Sequence, residues 1–524
     1  METKNETSMF KKGNYRFGRI IIRIPVSRYS LDENVISAYL PYIMRMHASN
    51  VADYWHLDSV YRGNSNIWQK ERQFVDDASE KMNAIVEEGH PFSMVEFKKG
   101  YMYGDDVKYS CADDTMCTDD ITIINRYMKN QNKASKNVEI AQDVYVAGSG
   151  NRIILPKPLG IDYDISRDAP FDIYNLEYCN SFIVYSSNFT KEKLFGGIIT
   201  TIDSTDPNNV IYQLMIYDHM WVYEFYIGGN ATGFYFDSGQ FVKKTRHYIG
   251  ICPFVEWRIN KARMGIVERV ESLCDAVNTI SSNSVDNVVD FVNSILVVYN
   301  QNIDKQAKKE VDKNGAMSLN TIDPSRPADA KYLTNLLNNA DVNTKYEALV
   351  KVAYALVGVP QANTQTTSGG DTGEARLLGG GWARADVVAK QDEILLKESE
   401  REMLEIIISI CSKHPQCQIN DIYASDIEIN FSRTKNDNLL VKVQALTQLI
   451  QMNMPKESAL NIVGLVGDPH EVAHAWEDEV EKAQQRSVEM MQQKQSDPNK
   501  EDNQDNKDIK DDKTKSNSNE KDTS

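Results

Sequence analysis

Short runs of apolar and polar residues alternate along the first half of the chain. From Tyr15 to about Gly250, segments rich in β-branched and aromatic residues are separated by turns of Asp, Asn and Gly, a pattern typical of strands. The predicted strands include residues 20–26, 182–185, 213–217 and 221–226. Helical periodicity interrupts this pattern at 35–54 and 74–88, so we predict an α+β domain.

The pattern changes to a long helical period after Pro253. Apolar side chains recur every three or four residues from Val267 to Ile295, which predicts one helix over 264–295. A second stripe at helical spacing consists of five acids, Glu268, Glu271, Asp275, Asp286 and Asp290. Such a stripe is either a solvated face or the lining of a water-filled lumen.

The next segments predict a helical hairpin with a structured tip. A short strand at 296–299 is followed by a polar stretch containing Gly315, Pro324 and Pro327, and then by a second helix over 341–357. Gly358 and Pro360 end that helix. Residues 361–381 are so rich in Gly, Thr and Ser that we expect a mobile loop.

The last part of the chain is predicted to be helical and then disordered. A third long helix covers 382–411 and a strand covers 427–431, and two amphipathic helices follow at 439–452 and 470–485. The final 40 or so residues are almost entirely polar or charged, so no apolar burial can offset the entropy lost on ordering.

The charge balance argues against tight binding to nucleic acid. The chain carries 75 Asp and Glu against 58 Lys and Arg, for a formal net charge of -17 over 524 residues. Proteins that grip DNA neutralise its phosphates with an excess of basic residues. An acidic surface would instead repel DNA and let it slide past.

The cysteines and the N-terminus indicate a cytoplasmic protein. Seven scattered cysteines include no C-x-x-C pair, which favours free thiols in a reducing compartment over a disulfide or metal framework. Residues 1–12 lack the apolar core of a signal peptide, and no apolar run approaches the roughly 18 residues of a membrane span. We therefore expect no export signal and no membrane partner.

One short motif has the form of a zinc site. His470-Glu471-Val472-Ala473-His474 matches H-E-x-x-H, in which two imidazoles one helical turn apart bind zinc beside a general base. The motif lies at the start of a terminal helix shortly before the polar tail, where no second subdomain could close a cleft. The alternative is an exposed amphipathic helix with Asp468 as its N-cap. The glycine-rich stretch lacks G-x-x-x-x-G-K-[ST], so no nucleotide cofactor is expected.

Several strings in sequence order resemble the portal, or head-to-tail connector, proteins of long-tailed phages that infect Gram-positive bacteria. Early matches are Tyr61-Arg62-Gly63 with Ile67, and Gly100-Tyr101-Met102-Tyr103-Gly104 with Tyr109, where Asp106 replaces a usual proline. Later matches are Ala169-Pro170, Phe182-Ile183-Val184-Tyr185, Pro253-Phe254-Val255-Glu256-Trp257, Glu271-Ser272-Leu273-Cys274-Asp275-Ala276-Val277-Asn278 and Ile295-Leu296-Val297-Val298. The series ends with Lys331-Tyr332-Leu333-Thr334, Gly358-Val359-Pro360 and Phe431-Ser432-Arg433 before Asn436-Asp437.

The resemblance implies a domain order. It comprises an N-terminal segment and α+β wing (1–262), a first stem helix (263–298), a clip (299–335), a second stem helix (336–359), a tunnel loop (360–381), a long helix with a returning wing strand (382–434), a helical crown (435–485) and a disordered tail (486–524). The tunnel-loop residues implied to meet DNA are Thr366, Thr367, Ser368, Gly369, Gly370, Asp371, Gly373, Glu374, Arg376, Gly379 and Gly380. Arg376 and Arg384 could touch phosphates, although Arg384 is expected to pair with an acid of its own helix.

The resemblance also implies a function. A ring of about twelve copies would form the channel for double-stranded DNA at one capsid vertex during genome packaging and ejection. Its partners would be the terminase large subunit, the major capsid and scaffold proteins and a head-completion adaptor, in the virion and, during assembly, in the host cytoplasm. No catalysis, cofactor or metal is implied. The alternatives are the zinc peptidase above and a helical scaffold protein.

Overall fold

The computed structural model describes most of the chain between residues 17 and 486. The described residues are 17–69, 84–111, 118–157, 168–230, 233–234, 239–292, 295–299, 325, 329–333, 339–361, 381–415, 417, 419, 422–433, 439–452, 454–463, 472–473, 475–483 and 485–486. They belong to two compact units, 1–436 and 437–524.

A seven-stranded sheet and one long helix form the first layer of unit 1. The helix is α1 (Glu33–Tyr61), and the carboxylate of its N-cap, Asp32, accepts a hydrogen bond from Val35 N at 2.8 Å. The strands of the sheet are β1 (Ile22–Ile24), β5 (Ser181–Ser186), β6 (Lys193–Asp203), β7 (Val210–Tyr217), β8 (Trp221–Asn230), β9 (Gly233–Phe234) and β10 (Gln240–Arg246). Their order is β1-β5-β6-β7-β8-β10, and β9 also pairs with β8. Apolar residues of α1 such as Ile36, Leu40 and Ile43 pack on one face of this sheet.

A second sheet covers part of the opposite face. It has the antiparallel order β11-β3-β4, formed by β3 (Ser149–Pro156), β4 (Phe171–Leu176) and β11 (Phe254–Arg258). Phe254 of β11 is fully buried between the two sheets, and the ring lies directly over Gly196 of β6. The absence of a side chain at Gly196 allows this close approach.

The main core of unit 1 lies among helices. These helices are α2 (His90–Tyr103), α3 (Thr118–Asn130), α4 (Lys133–Ala147) and α7 (Trp382–Cys411), and a two-stranded sheet of β2 (Lys108–Cys111) and β14 (Ile427–Asn430) joins them. Leu396, Met403 and Leu404 of α7 belong to this core. Because the second half of α7 is buried, the helix holds its neighbours together.

A helical hairpin completes unit 1. Its elements are α5 (Val267–Val292), β12 (Ile295–Tyr299), β13 (Asp329–Leu333) and α6 (Asn339–Val357). Unit 2 contains α8 (Leu439–Gln451), α9 (Lys456–Val463) and a helical segment at 475–483. No helix in the described ranges is long and apolar enough to cross a membrane.

The mixed helix and sheet content predicted from the sequence is confirmed. The predicted third long helix matches α7 at both ends, and the first two long helices are displaced by only a few residues. The helix predicted over 74–88 is wrong for its last part, because residues 84–88 have no helical hydrogen bonding. Helices α2, α3 and α4 were not predicted, and α2 and α4 bury polar as well as apolar residues, which blurs the periodic signal.

The expectation that all cysteines are thiols also needs correction. Cys111, the last residue of β2, is disulfide-bonded. Cys179, Cys252, Cys274 and Cys411 are free thiols. A bridge at this strand end is compatible with a fold whose described core depends on apolar packing.

The contact between Gly196 and Phe254 generates a stability prediction. A Cβ added at Gly196 would lie 2.1 Å from the Phe254 ring, so Gly196→Ala must displace a buried side chain. We expect a loss of about 1–3 kcal/mol in the free energy of unfolding, measured by denaturant titration. The matched control is Gly100→Ala in α2, where the added Cβ meets nothing within 4 Å. There we expect a gain of about 0.5–1 kcal/mol, and equal effects of the two substitutions would contradict the packing account.

Candidate functional site at the base of the helical hairpin

The two helices of the hairpin are joined by an antiparallel ribbon. Ile295 of β12 lies opposite Leu333 of β13, and Tyr299 lies opposite Asp329. This register returns the chain beside the end of α5, so that α6 packs back along it. With 26 residues, α5 is about 39 Å long.

An extended segment, residues 84–88, runs along one stripe of α5, and we call it the strap. Three backbone N–H groups of the strap donate to side chains of α5. Ala84 N donates to Asp286 Oδ1 at 2.7 Å, Val86 N to Ser282 Oγ at 3.0 Å, and Glu88 N to Asn278 Oδ1 at 3.2 Å. The donors are two residues apart and the acceptors four, so α5 takes the place of a neighbouring strand.

The carboxylates of the strap fix both helices of the hairpin. Glu88 accepts hydrogen bonds from Ser281 Oγ of α5 and from Tyr346 OH of α6, the latter at 2.6 Å. His90 Nε2 lies 2.9 Å from the same carboxylate. Glu87 accepts a hydrogen bond from Asn278 Nδ2 at 2.6 Å. Glu88 is therefore the side chain that joins the strap, α5 and α6.

The environment of Glu88 favours its charged form. Partial burial acts to raise its pKa, but the hydrogen bonds from Ser281 and Tyr346 and the nearby His90 outweigh burial, and the pKa lies below its ordinary value. Three groups thus stabilise one carboxylate at the junction of the two helices.

A buried ion pair holds the start of α5. Arg19 Nη2 lies 2.5 Å from Glu268, and Arg19 Nη1 lies 2.9 Å from Asp53 of α1. Backbone N–H groups of Gly18 and Gly265 also donate to the Glu268 carboxylate. Burial raises the pKa of Glu268 despite the opposing effect of Arg19. These contacts tie the N-terminal segment to the base of the hairpin.

The predicted acidic stripe therefore needs correction. Glu268 and Glu271 are buried inside the chain, and Glu271 lies 2.8 Å from His56 Nε2. A buried carboxylate cannot line a water-filled lumen, because it contacts protein groups instead. Asp275 and Asp286 are half-buried and accept hydrogen bonds from Asn66 and Ala84. The side chain of Asp290 lies outside the described residues. For these last three acids a lumen-facing position stays a prediction.

Helix α7 is fixed by charges at several points along its length. Arg433 contacts both Asp386 and Glu393, and Lys98 lies 3.4 Å from Asp392. Further along, Glu400 is completely buried and accepts hydrogen bonds from Lys133 Nζ at 2.8 Å and Tyr109 OH at 2.9 Å. Arg384 is exposed, and within the described ranges no ion pair joins it to an acid of its own helix, contrary to the prediction.

Both α6 and α7 leave apolar side chains on their outer faces. On α6, Val352 is 53% exposed and Leu356 is 44% exposed. On α7, Val387 is 56% exposed and Ile394 is 70% exposed. The spacings of four and seven residues place each pair on one face of its helix. Such faces favour contact with another protein surface over contact with water.

The remaining predicted site residues fall in parts of the chain that the structure does not describe. These are the tunnel-loop residues Thr366, Thr367, Ser368, Gly369, Gly370, Asp371, Gly373, Glu374, Arg376, Gly379 and Gly380, and the motif residues His470, Glu471 and His474. Among the residues that are described, no group of three or more His, Cys, Asp or Glu side chains could hold a metal ion.

Sequence reasoning missed the strap and Glu88. The only local signal is Glu87-Glu88-Gly89-His90-Pro91, in which Gly89 has a positive φ of 65° and Pro91 occupies the first turn of α2. That signal marks the start of a helix. It does not reveal the partner of the preceding residues, which lies about 200 positions along the chain.

The family model of the phage portal protein, SPP1 Gp6-like, matches residues 42–486. A chain from the neck of a native GTA particle, computed with C12 symmetry, is 10% identical, with coverage of 72% of this chain and 91% of that chain and a TM-score of 0.40. A chain from the virion of a native gene transfer agent (GTA) particle is 9% identical, with coverage of 72% and 90% and a TM-score of 0.37. No curated protein sequence matches the chain.

The junction at Glu88 generates a prediction for a double-mutant cycle. Glu88→Gln and Tyr346→Phe should each lower the free energy of unfolding, with a coupling of about 1–2 kcal/mol at neutral pH, because a charged hydrogen bond is shared. Denaturant titration of the four proteins measures the coupling. Since the folded pKa of Glu88 is lowered, the coupling should persist above the ordinary carboxyl range and weaken as the pH falls through the lowered value.

The matched control is Tyr299→Phe, because Tyr299 is a half-exposed tyrosine at the far end of the hairpin. Its cycle with Glu88→Gln should give no coupling beyond about 0.3 kcal/mol. Additive effects of Glu88→Gln and Tyr346→Phe would show that Glu88 does not join the helices.

Proposed function

The chain belongs to the SPP1 Gp6-like family of phage portal proteins, and from this premise we propose that about twelve copies form a closed ring that conducts double-stranded DNA. As a family member it is a structural protein of the virion and not an enzyme. The family match over residues 42–486 is the observation that carries the proposal. The family match gives no support to a peptidase.

The exposed apolar faces of α6 and α7 support assembly into a ring. In a closed ring each copy uses two different surfaces, one toward each neighbour, so the interface is heterologous. The Val352 and Leu356 face and the Val387 and Ile394 face are two such surfaces on consecutive helices. Burying an aliphatic side chain contributes roughly 1.5–3 kcal/mol relative to full exposure, and each of these four would contribute less because it is already partly buried.

Passage of DNA without tight binding is consistent with the charge of the chain. A net charge of -17 disfavours retention of a polyanion, whereas a few transient cation contacts would guide it. In this proposal the glycine-rich loop at 360–381 surrounds the narrowest point of the channel, and Arg376 and Arg384 meet phosphates in passing. Asp290 and the exposed parts of the half-buried Asp275 and Asp286 would face the channel.

The other proposed partners contact the tip of the hairpin and the α+β region. The tip between α5 and α6 would receive the terminase large subunit during packaging and a head-completion adaptor afterwards. The major capsid and scaffold proteins would contact the α+β region, and the helices after residue 435 would form the crown. The family match supports these roles by analogy.

Ring formation is tested by negative-stain electron microscopy combined with solution mass. The purified chain should give rings of about twelve copies with a central hole. Val352→Asp with Leu356→Asp should shift the mass toward monomer, because burying a carboxylate without a partner is costly. The matched control Tyr423→Asp changes a residue that is 70% exposed elsewhere and should leave the rings intact. The proposal would be contradicted if the chain were monomeric both in purified solution and within assembled particles.

The loop is tested by deleting residues 369–380. Rings should still form, because the deletion leaves the exposed faces of α6 and α7 unchanged, but the amount of nuclease-protected DNA per particle should fall at least tenfold. A Gly and Ser linker of the original length is the control that separates loop length from loop sequence. Normal packaging by the deletion variant would remove the loop from the proposed channel.

A further inference from the structure

The topology of the seven-stranded sheet brings four connecting segments to one end. Strand β1 is parallel to β5, with Ile24 opposite Ser186, while β5, β6, β7, β8 and β10 alternate in direction. The segments that follow β1, β5, β7 and β10 therefore leave from the same end of the sheet. We call the exposed residues 28–30, 188–191, 246 and 248 at this end the sheet rim.

The sheet rim carries three strongly exposed aromatic side chains. Phe189 is 96% exposed, Tyr29 is 80% exposed, and Tyr248 is 76% exposed. Isolated apolar residues on a surface are common, but Tyr29 and Phe189 follow neighbouring strands and Tyr248 lies at the far edge of the same sheet end, and three large exposed rings at one end indicate a binding surface.

Local contacts hold the segments that present these rings. Lys191 N donates to Asn188 O at 3.0 Å, which closes the turn around Phe189, and Lys191 has a positive φ of 50°. The guanidinium of Arg28 lies 4.8 Å from the centre of the Tyr29 ring, and that of Arg246 lies 5.5 Å from the Tyr248 ring. Binding would therefore cost less conformational entropy than it would for rings on loose loops.

The exposed charges of the sheet rim are all positive. Arg28, Lys191 and Arg246 are exposed, in a chain whose net charge is -17. The nearby acids are withdrawn from the surface. Glu192 is half-buried beside Arg28, and Asp218 is buried and accepts hydrogen bonds from Met220 N, Trp221 N and Tyr223 OH. The rim is thus a basic and aromatic patch on an acidic molecule.

The dimensions of the sheet rim fit a protein partner. Five strand spacings separate β1 from β10, which corresponds to about 24 Å. Standard protein interfaces bury about 800 Å² per partner, a patch of similar width. Three rings spread over this width require three separate apolar pockets, which a folded protein surface provides and the regular grooves of duplex DNA do not.

We propose that the sheet rim docks onto an acidic surface of another protein of the assembled particle. That surface receives Tyr29, Phe189 and Tyr248 in apolar pockets and places carboxylates opposite the three cations. The partner is neither DNA nor a second copy of this chain. The proposal rests on the proposed function only because the partner is sought among proteins that assemble with the ring.

The test is photo-crosslinking from the tip of the rim. Phe189→p-benzoylphenylalanine is introduced into the full chain in cells that produce particles, and the purified particles are irradiated. We expect a cross-link to one other protein of the particle. Adding Arg28→Glu, Lys191→Glu and Arg246→Glu should lower the cross-link yield at least tenfold, because three attractions become repulsions. Negative-stain microscopy of the same variant should still show rings, so that loss of the cross-link is distinguished from failure of the ring.

Two controls make the result specific. Tyr423→p-benzoylphenylalanine, at an exposed residue outside the rim, should not give the same cross-link. A fluorescent 30-base-pair DNA duplex should bind equally to the wild-type ring and to the charge-reversed ring. The proposal is overturned by a cross-link only to another copy of the chain, by a yield unchanged on charge reversal, by the same cross-link from Tyr423, or by duplex binding that depends on the three cations.

Discussion

The helical hairpin depends on a match between two repeat lengths. Four residues of an α-helix advance about 6.0 Å and two residues of extended chain advance about 6.6 Å, so an extended segment and a helix stay in register for a few steps. The strap uses this match, with donors at residues 84, 86 and 88 and acceptors at 286, 282 and 278. Because the mismatch grows by about 0.6 Å at each step, such a ladder must be short. It ends at Gly89, where α2 begins.

Local periodicity in the sequence revealed the long helices but not what packs against them. Periodicity identified α5, α6 and α7 nearly to their ends, because each has a continuous apolar stripe. It also identified the acidic stripe of α5, but spacing shows only that residues share a face and not what packs on it. The strap at 84–88 resembles a helix locally, and its partner is distant in sequence, so no local signal could place it. In α4, the polar residues Lys133 and Asn137 are buried together with Ile140 and Val144. The polarity of its residues therefore does not indicate which side of the helix faces the core.

Buried charges in unit 1 specify position more than they add stability. Burial lowers the pKa of Lys133 despite the nearby Glu400, which shows how strongly the site disfavours an unpaired charge. Replacing a buried pair with apolar residues often costs little, whereas removing one partner is strongly destabilising. Glu400 accepts from both Lys133 and Tyr109, so α7 cannot slide by a turn without leaving that carboxylate unpaired. The position of α7 along its own axis is therefore fixed by these contacts.

Assembly of identical acidic copies raises an electrostatic problem that the distribution of side chains relieves. Each copy carries a net charge of -17, yet at physiological ionic strength charges more than about 8 Å apart are largely screened. Repulsion then matters mainly between surfaces in contact. Glu268 and Glu271 are buried within the chain, and the outer faces of α6 and α7 present aliphatic residues such as Val352 and Ile394. In the proposed ring, neighbouring copies would thus meet through these aliphatic surfaces and not through facing acids.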